Sequence, residues 1–565
     1  MVRTTIAFLL CSVVGIVVDA QSMYDLINGF REDKYALQRM YTVSESVEYY
    51  ERMKRFYDAY EERVAAVNFD NLAQDGKADY LLLKNQLAKE VYNLNIEKGQ
   101  FDQVYHTLEF GVPLYDFVQA RRDGARPDAE KLAGMFHDVT QKLNQAMSEL
   151  KTKPFSSEKQ AVKAAGAVDE LESAVLESYK FYKGYDPIFT WWTETPFDTL
   201  HRSLNHYATF LRKNYQTTAG KDDGSGIVGK PIGRDAIIKS LQTEFIPYTP
   251  EELIKIAETE FKWCEQEMKK AAQAMGFGTD WKLALERVKK TYVAPGEQPA
   301  LVTKLANEAI EFLEKNDLVT IPDAAKETWR MKMMSPEAQK LNPFFTGGEV
   351  ITISYPTNDM HHDQKMMSMR GNNPYFSKAT VHHELIPGHH LQQFMQKRYK
   401  PYRSVFATPF WIEGWALYWE MNLWDKGFAS SPEDKVGMLF WRMHRCARII
   451  FSLSYHLEKM TPKQCIDFLV DKVGHEYANA EAEVRRSFTG GYGPLYQIAY
   501  MIGGLQIYHL KKEAIGSLKI TEKQFHDRVL RENCIPIEVL RGILLDQNWN
   551  KGFTTEWKFM SHQDE

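Results

Sequence analysis

Between Val381 and Phe394 the chain reads Val-His-His-Glu-Leu-Ile-Pro-Gly-His-His-Leu-Gln-Gln-Phe, and five of its first ten residues are His or Glu. Imidazoles and carboxylates are the side chains that bind zinc and carry protons at neutral pH. A second segment, Trp411-Ile-Glu413-Gly-Trp-Ala-Leu-Tyr-Trp-Glu420, follows a short way downstream. Together they describe a hydrolytic metal site, with one ligand set carried by a helix and a glutamate brought in from another.

The spacing is unusual. Zinc hydrolases often place two His four residues apart on a helix, with a Glu directly after the first. Here the fourth position after His383 is Pro387, which cannot ligate. In a regular helix His389 would sit about 120° off the His383 face, and His390 about 10.5 Å further along the axis. Pro387 has no N–H to give to the preceding turn, and Gly388 beside it is permissive. A bulged or broken turn at Pro387-Gly388 would absorb the two extra residues and bring His389 to the second-ligand place. His390 is the alternative, and whichever imidazole is not a ligand would support the site or face substrate.

On this reading Glu384 is the general base. Glu413 is the expected third ligand, as an isolated acid among Trp and Tyr. Glu420, seven residues on, shares its helix face and could instead hold a ligand His. Arg442, Arg445 and Arg448 stand ready as ion-pair partners if Glu413 is merely structural. His361-His362-Asp363 receives no role.

Helices dominate the elements that must position these groups. Thr249-Pro-Glu-Glu252, Ser431-Pro-Glu-Asp434 and Thr461-Pro-Lys-Gln464 each combine an N-cap, Pro at the first helical position and a polar capping-box residue. Amphipathic periodicity continues through about 22–180. Thr218–Gly233 is polar and Gly-rich and reads as a loop, and a boundary falls at Asn342–Gly348. Glu349–Tyr355 alternates and is β-branched, so it is the expected strand. The predicted fold is mainly α with a small β element near the site. It is organised as a leader (1–20), an N-terminal helical region (21–340) and a metal-binding catalytic region (341–565), the latter two forming one two-lobed body.

Arg3, the apolar run Ile6–Val18 and the small residues before Gln21 read as a secretory signal peptide, cleaved after Ala20. The mature chain is therefore expected to be soluble and secreted, with no membrane anchor. Charge is nearly balanced, 70 Lys+Arg against 75 Asp+Glu, which argues against a nucleic-acid partner. Cys264, Cys446, Cys465 and Cys534 follow the leader's Cys11, too widely spaced for a zinc knuckle. Cys446–Cys465 is the pair nearest in sequence, with buried free thiols the equal alternative.

His383-Glu-Leu-Ile-Pro-Gly-His-His-Leu-Gln392 and Glu413-Gly-Trp-Ala-Leu-Tyr418 resemble the motifs of the domain-of-unknown-function family 885, candidate zinc peptidases common among bacterial secreted proteins and lipoproteins. The similarity is specific from about residue 340 onward. It implies a largely helical, gluzincin-like body, one Zn2+ per chain held by His383, His389 and Glu413, and Glu384 as base. Weaker matches are Glu483-Val-Arg-Arg486, the Arg448–His456 segment, and Pro494 through Tyr500 to Gly503. Here the chain departs from the pattern: Pro494-Leu-Tyr-Gln497 lacks the family's Gly and shifts its Gln by one, and Ser452 and Ser454 replace Asp and Gly. Tyr500 keeps the family spacing from Pro494 and is the candidate for holding the oxyanion. The expected activity is hydrolysis of a peptide substrate. The alternatives are a zinc-binding scaffold without turnover and a zinc hydrolase of non-peptide amides.

Overall fold

The computed structural model describes residues 23–216, 222–339, 344–489 and 491–560. The leader at 1–20 lies outside them, as do parts of the loop at 218–233 and of the boundary at 342–348. The fold is mainly α, with one two-stranded sheet among the described residues. No described helix is long and apolar enough to cross a membrane.

Helices begin where short polar side chains can satisfy their first N–H groups. Ser46, Asp128, Ser157 and Asp186 cap the long helices of the first third. The three expected starts all form complete capping boxes: Thr249 with Glu252, Ser431 with Asp434, and Thr461 with Gln464. Ala129–Thr152, Glu158–Tyr182 and Pro187–Lys213 pack side by side through apolar stripes. One continuous core runs from Met23 to Phe559.

The expected strand forms over Val350–Ile353 (β2) and pairs in parallel with Arg330–Met333 (β1). The polar, largely exposed β1 gives no alternation by which the sequence could announce it. Ile351 and Ile353 pack with Phe345, Val381 and Leu385, so the strand buttresses the helix that carries His383.

Two helices differ from the rest. Pro409–Asp425 and Tyr496–Leu518 are buried on nearly every side and lie against each other. Their backbones meet at glycines. A Cβ on Gly414 would stand 2.5 Å from the Gly503 carbonyl carbon, and one on Gly503 only 1.9 Å from Phe410 O. That contact sets Glu413 on one helix beside Tyr496 and Tyr500 on the other.

All four described cysteines are buried free thiols. Cys446 faces Cys264 across packed helices rather than Cys465, and burial pushes its thiol up.

Candidate metal centre

The first ligand helix, Pro374–Glu384, stops at Glu384, and a second, His389–Gln396, starts at His389. Four residues join them, and the Ile386–Pro387 peptide is cis. Gly388 N–H donates to His382 O at 3.1 Å, and His390 N–H to Leu385 O at 3.0 Å. Gly388 is packed so closely that a Cβ would lie 1.8 Å from His383 O. The turn is pinned from outside by Trp415 Nε1, which donates to Pro387 O at 2.8 Å. The chain therefore breaks fully at Pro387-Gly388.

The break brings His389, not His390, beside His383. His389 Nε2 stands 3.2 Å from Glu413 Oε2, and His383 Nε2 stands 3.7 Å from the same oxygen. His390 turns away and meets Ala325 O at 2.8 Å. The three donor atoms all lie within 4.8 Å of one another. A tetrahedral zinc with bonds of about 2.0–2.1 Å separates its ligand atoms by about 3.3 Å, so the set has a fitting size.

The chemistry of the donors agrees with the geometry. Glu413 Oε2 is buried with no hydrogen-bond donor, a costly state for a charged oxygen unless a cation faces it. Its other oxygen accepts from Tyr496 Oη at 2.5 Å. The remote nitrogen of each imidazole is held: His383 Nδ1 donates to Glu420 Oε1 at 2.6 Å, and His389 Nδ1 meets the Gln392 amide at 2.5 Å. Such contacts fix ring orientation and tautomer at metal sites. The same Gln392 nitrogen donates to Ile412 O at 3.1 Å, which fixes the amide beside the imidazole. Burial alone would lower His383, but the carboxylates of Glu413 and Glu420 outweigh it and push the ring up to about 9. Burial likewise opposes charge on Glu413, yet His389 and His383 hold it well below the usual carboxylate range. The cluster is built to hold positive charge.

Around it lies a cavity of about 260 Å³, bordered by His383, His389, Glu413 and Glu384. The segment Phe344–Gly347 forms one wall. Gly347 presses on Glu384, where a Cβ would lie 2.3 Å from Oε2, and Gly348 N–H donates to Glu384 O at 3.2 Å. This segment, and not β2, meets the site. β2 has β1 on one edge and Thr346 bridged to Thr352 on the other.

Tyr500 lines the same cavity. Its ring stacks on His383 with centroids 6.2 Å apart, and its hydroxyl donates to Tyr496 Oη at 3.3 Å. Tyr496 escaped the sequence reading. Its only signal was the departure at Pro494-Leu-Tyr-Gln497, where Tyr496 takes the place of the family's Gln. The arginines considered as partners for Glu413 pair elsewhere: Arg442 with Glu260 at 2.7 Å and Arg448 with Glu483 at 2.7 Å. Arg445 comes no nearer than 3.8 Å to Glu420. His361 and His362 lie outside the site, at an exposed helix start.

A model of the family described as bacterial protein of unknown function (DUF885) matches residues 33–544, and the chain belongs to that family. A solved candidate lipoprotein of unknown function from Shewanella oneidensis is similar over 93% of this chain and 100% of its own, with 17% identity and a TM-score of 0.67. A candidate lipoprotein from Colwellia psychrerythraea is similar over 72% of this chain and 79% of its own, with 19% identity and a TM-score of 0.50. At these identities the likeness is one of fold. No curated protein matches the chain.

Proposed function

We propose that this chain is a zinc-dependent peptidase, holding one ion through His383 Nε2, His389 Nε2 and Glu413 Oε2. The observation that carries the reading is the convergence of these donors on a cavity that also borders Glu384. When bound, zinc would supply Lewis acidity toward a carbonyl oxygen and a water molecule.

The protein's own groups do the rest. Glu384, next to His383 on the cavity edge, takes a proton from the attacking water. The water oxygen joins the carbonyl carbon, the C–N bond breaks, and Glu384 passes the proton to the departing nitrogen. Acid and amine leave, and Glu384 returns to its carboxylate form. Tyr500 steadies the negative charge that builds on the carbonyl oxygen. Tyr496 and Glu420 hold Glu413 and His383 in place. With residues 1–20 read as a leader, the enzyme acts outside the cytoplasm on peptides.

Elemental mass spectrometry of the freshly purified protein should find about one zinc per chain, lost in His383→Ala. Glu384→Gln should keep the metal and lose turnover of a peptide library by about 10²-fold or more. Metal without cleavage of any peptide would make the chain a binding protein. Preferential cleavage of small acyl amides would move it to non-peptide substrates, and absence of metal would end the reading.

A further inference from the structure

The wall of the same cavity also carries three guanidinium groups, those of Arg445, Arg448 and Arg486. They are unevenly paired. Glu483 serves two of them, at 2.7 Å to Arg448 and 2.9 Å to Arg486. Arg445 has only Glu420 at 3.8 Å, and that oxygen already accepts from His383 at 2.6 Å. Arg445 Nε and Arg448 Nη1 are buried without an acceptor, although the residues are only 5% and 2% exposed. Buried guanidinium donors left open in this way are costly unless an anion completes them.

The position of the wall narrows what the anion is. Tyr500 lies between the two clusters, with its ring centre 4.7 Å from Arg445 Cζ, 4.4 Å from Arg448 Cζ and 6.2 Å from the His383 ring. A peptide residue spans at most about 3.3–3.6 Å, so two or three residues reach from the His383 ring to the arginines. Arg445 and Arg448 project from Pro432–His456, a helix buried for most of its length. The volume, about 260 Å³, falls below that of pockets that enclose drug-sized ligands. Burial and the neighbouring Arg448 also hold the Arg445 guanidinium below its usual range, as expected of a cation awaiting a counter-ion.

We infer that Arg445 and Arg448 bind the free α-carboxylate of a peptide's last residue, which makes the enzyme a carboxypeptidase or small-peptide hydrolase that cuts near the C-terminus. This rests on the peptidase reading for the reaction, but not for the binding. Guanidinium groups suit the task because they meet both oxygens of a carboxylate in a planar fork.

Calorimetric titration of the protein as purified separates the two. The probes are N-acetyl-phenylalanine, its carboxamide, and the α-amide of N-acetyl-glutamate, whose only carboxylate is on the side chain. N-acetyl-phenylalanine is expected to bind about tenfold or more tighter than either amide. Arg445→Gln, checked for native melting temperature, should erase that preference, and Arg445→Lys should restore part of it. Equal binding of acid and amide, or no binding at all, overturns the inference. So does a preference that survives in Arg445→Gln, which would put the anion on another group, and so does equal binding of the glutamate amide, which would make the ligand a side-chain acid. None of these results depends on turnover, so a protein that binds the acid but cleaves no peptide would fail as a peptidase while keeping this site.

Discussion

Ala129–Thr152 and Pro187–Lys213 are helices with one apolar stripe each, Leu132, Phe136, Val139 and Leu143 facing Phe197, Leu200, Leu204 and Leu211. Their other faces meet water. Pro409–Asp425 and the first four turns of Tyr496–Leu518 are buried almost all round, and between them the two helices bury Glu413, Glu420, Gln497 and Gln506. The first pair needs only apolar side chains of fitting size, which many sequences supply. The second must also place buried acids and amides against fitting partners, Glu413 against Tyr496 across the pair, Glu420 against His383 and Gln497 against Ser487. Stability in the first region is a matter of area removed from water. In the second it is bound to the geometry of the site.

The sharpest way to break that contrast is at the glycine crossing. Gly503→Ala puts a methyl group where Phe410 O stands 1.9 Å away, and backbone cannot rotate aside. We expect a loss of about 3 kcal/mol or more, up to failure to fold, with zinc binding lost in step. A stable Gly503→Ala protein with full metal would show that the two helices are not locked.

A smaller effect is expected at Glu420, which holds His383 without facing the metal position. Glu420→Gln should weaken zinc by about 10–100-fold in a chelator competition while changing the melting temperature little. A change under threefold would detach Glu420 from the site.

Acid should separate the regions further. His526 donates from Nδ1 to Leu318 O at 2.6 Å and meets Tyr418 Oη at 2.5 Å through Nε2, and burial lowers it to about 3. Burial lowers His456 to about 4. Both are neutral when folded, while in the unfolded chain they protonate near pH 6.5. The unfolded state therefore binds more protons below that point, and stability should fall as pH drops from about 6.5 toward 3–4, by up to about 1.4 kcal/mol per pH unit for each. His106, His137, His201 and His206 of the earlier region are not buried. Hydrogen exchange at pH 5 should thus lose protection first around Tyr418 and His526, and equal loss in Ala129–Thr152 would contradict this.

The smallest effect has the opposite sign. Gly134 sits inside Ala129–Thr152 with nothing within 4 Å of a built Cβ. Gly134→Ala should stabilise by about 0.5–1 kcal/mol, measured as a rise in melting temperature, and a fall would mean that this helix is more tightly fitted than its open face suggests.

What could be read from the sequence follows the same divide. Capping boxes are local, so Thr249, Ser431 and Thr461 marked their helices correctly. The break at Pro387-Gly388 could be read because proline cannot continue a hydrogen-bonded turn. Tyr496 could not be found among 29 tyrosines, because its meaning depends on a helix 83 residues away in the chain. The arginines were visible as possible partners for a structural Glu413, and nothing local says that Arg448 meets Glu483. β1 lacks any pattern of its own and exists only because β2 lies beside it.

Gly388 leaves no room for revision. The His383 carbonyl oxygen already fills the volume that a methyl group would need, so no other residue can stand there without moving His383. The side chains of Leu385 and Ile386 are buried among apolar groups and can be exchanged for others of similar volume. A directed-evolution library seeking new specificity should hold the codon for Gly388 fixed and place its diversity at Phe344 and Tyr492, which line the cavity outside the packed cluster behind the His383 helix.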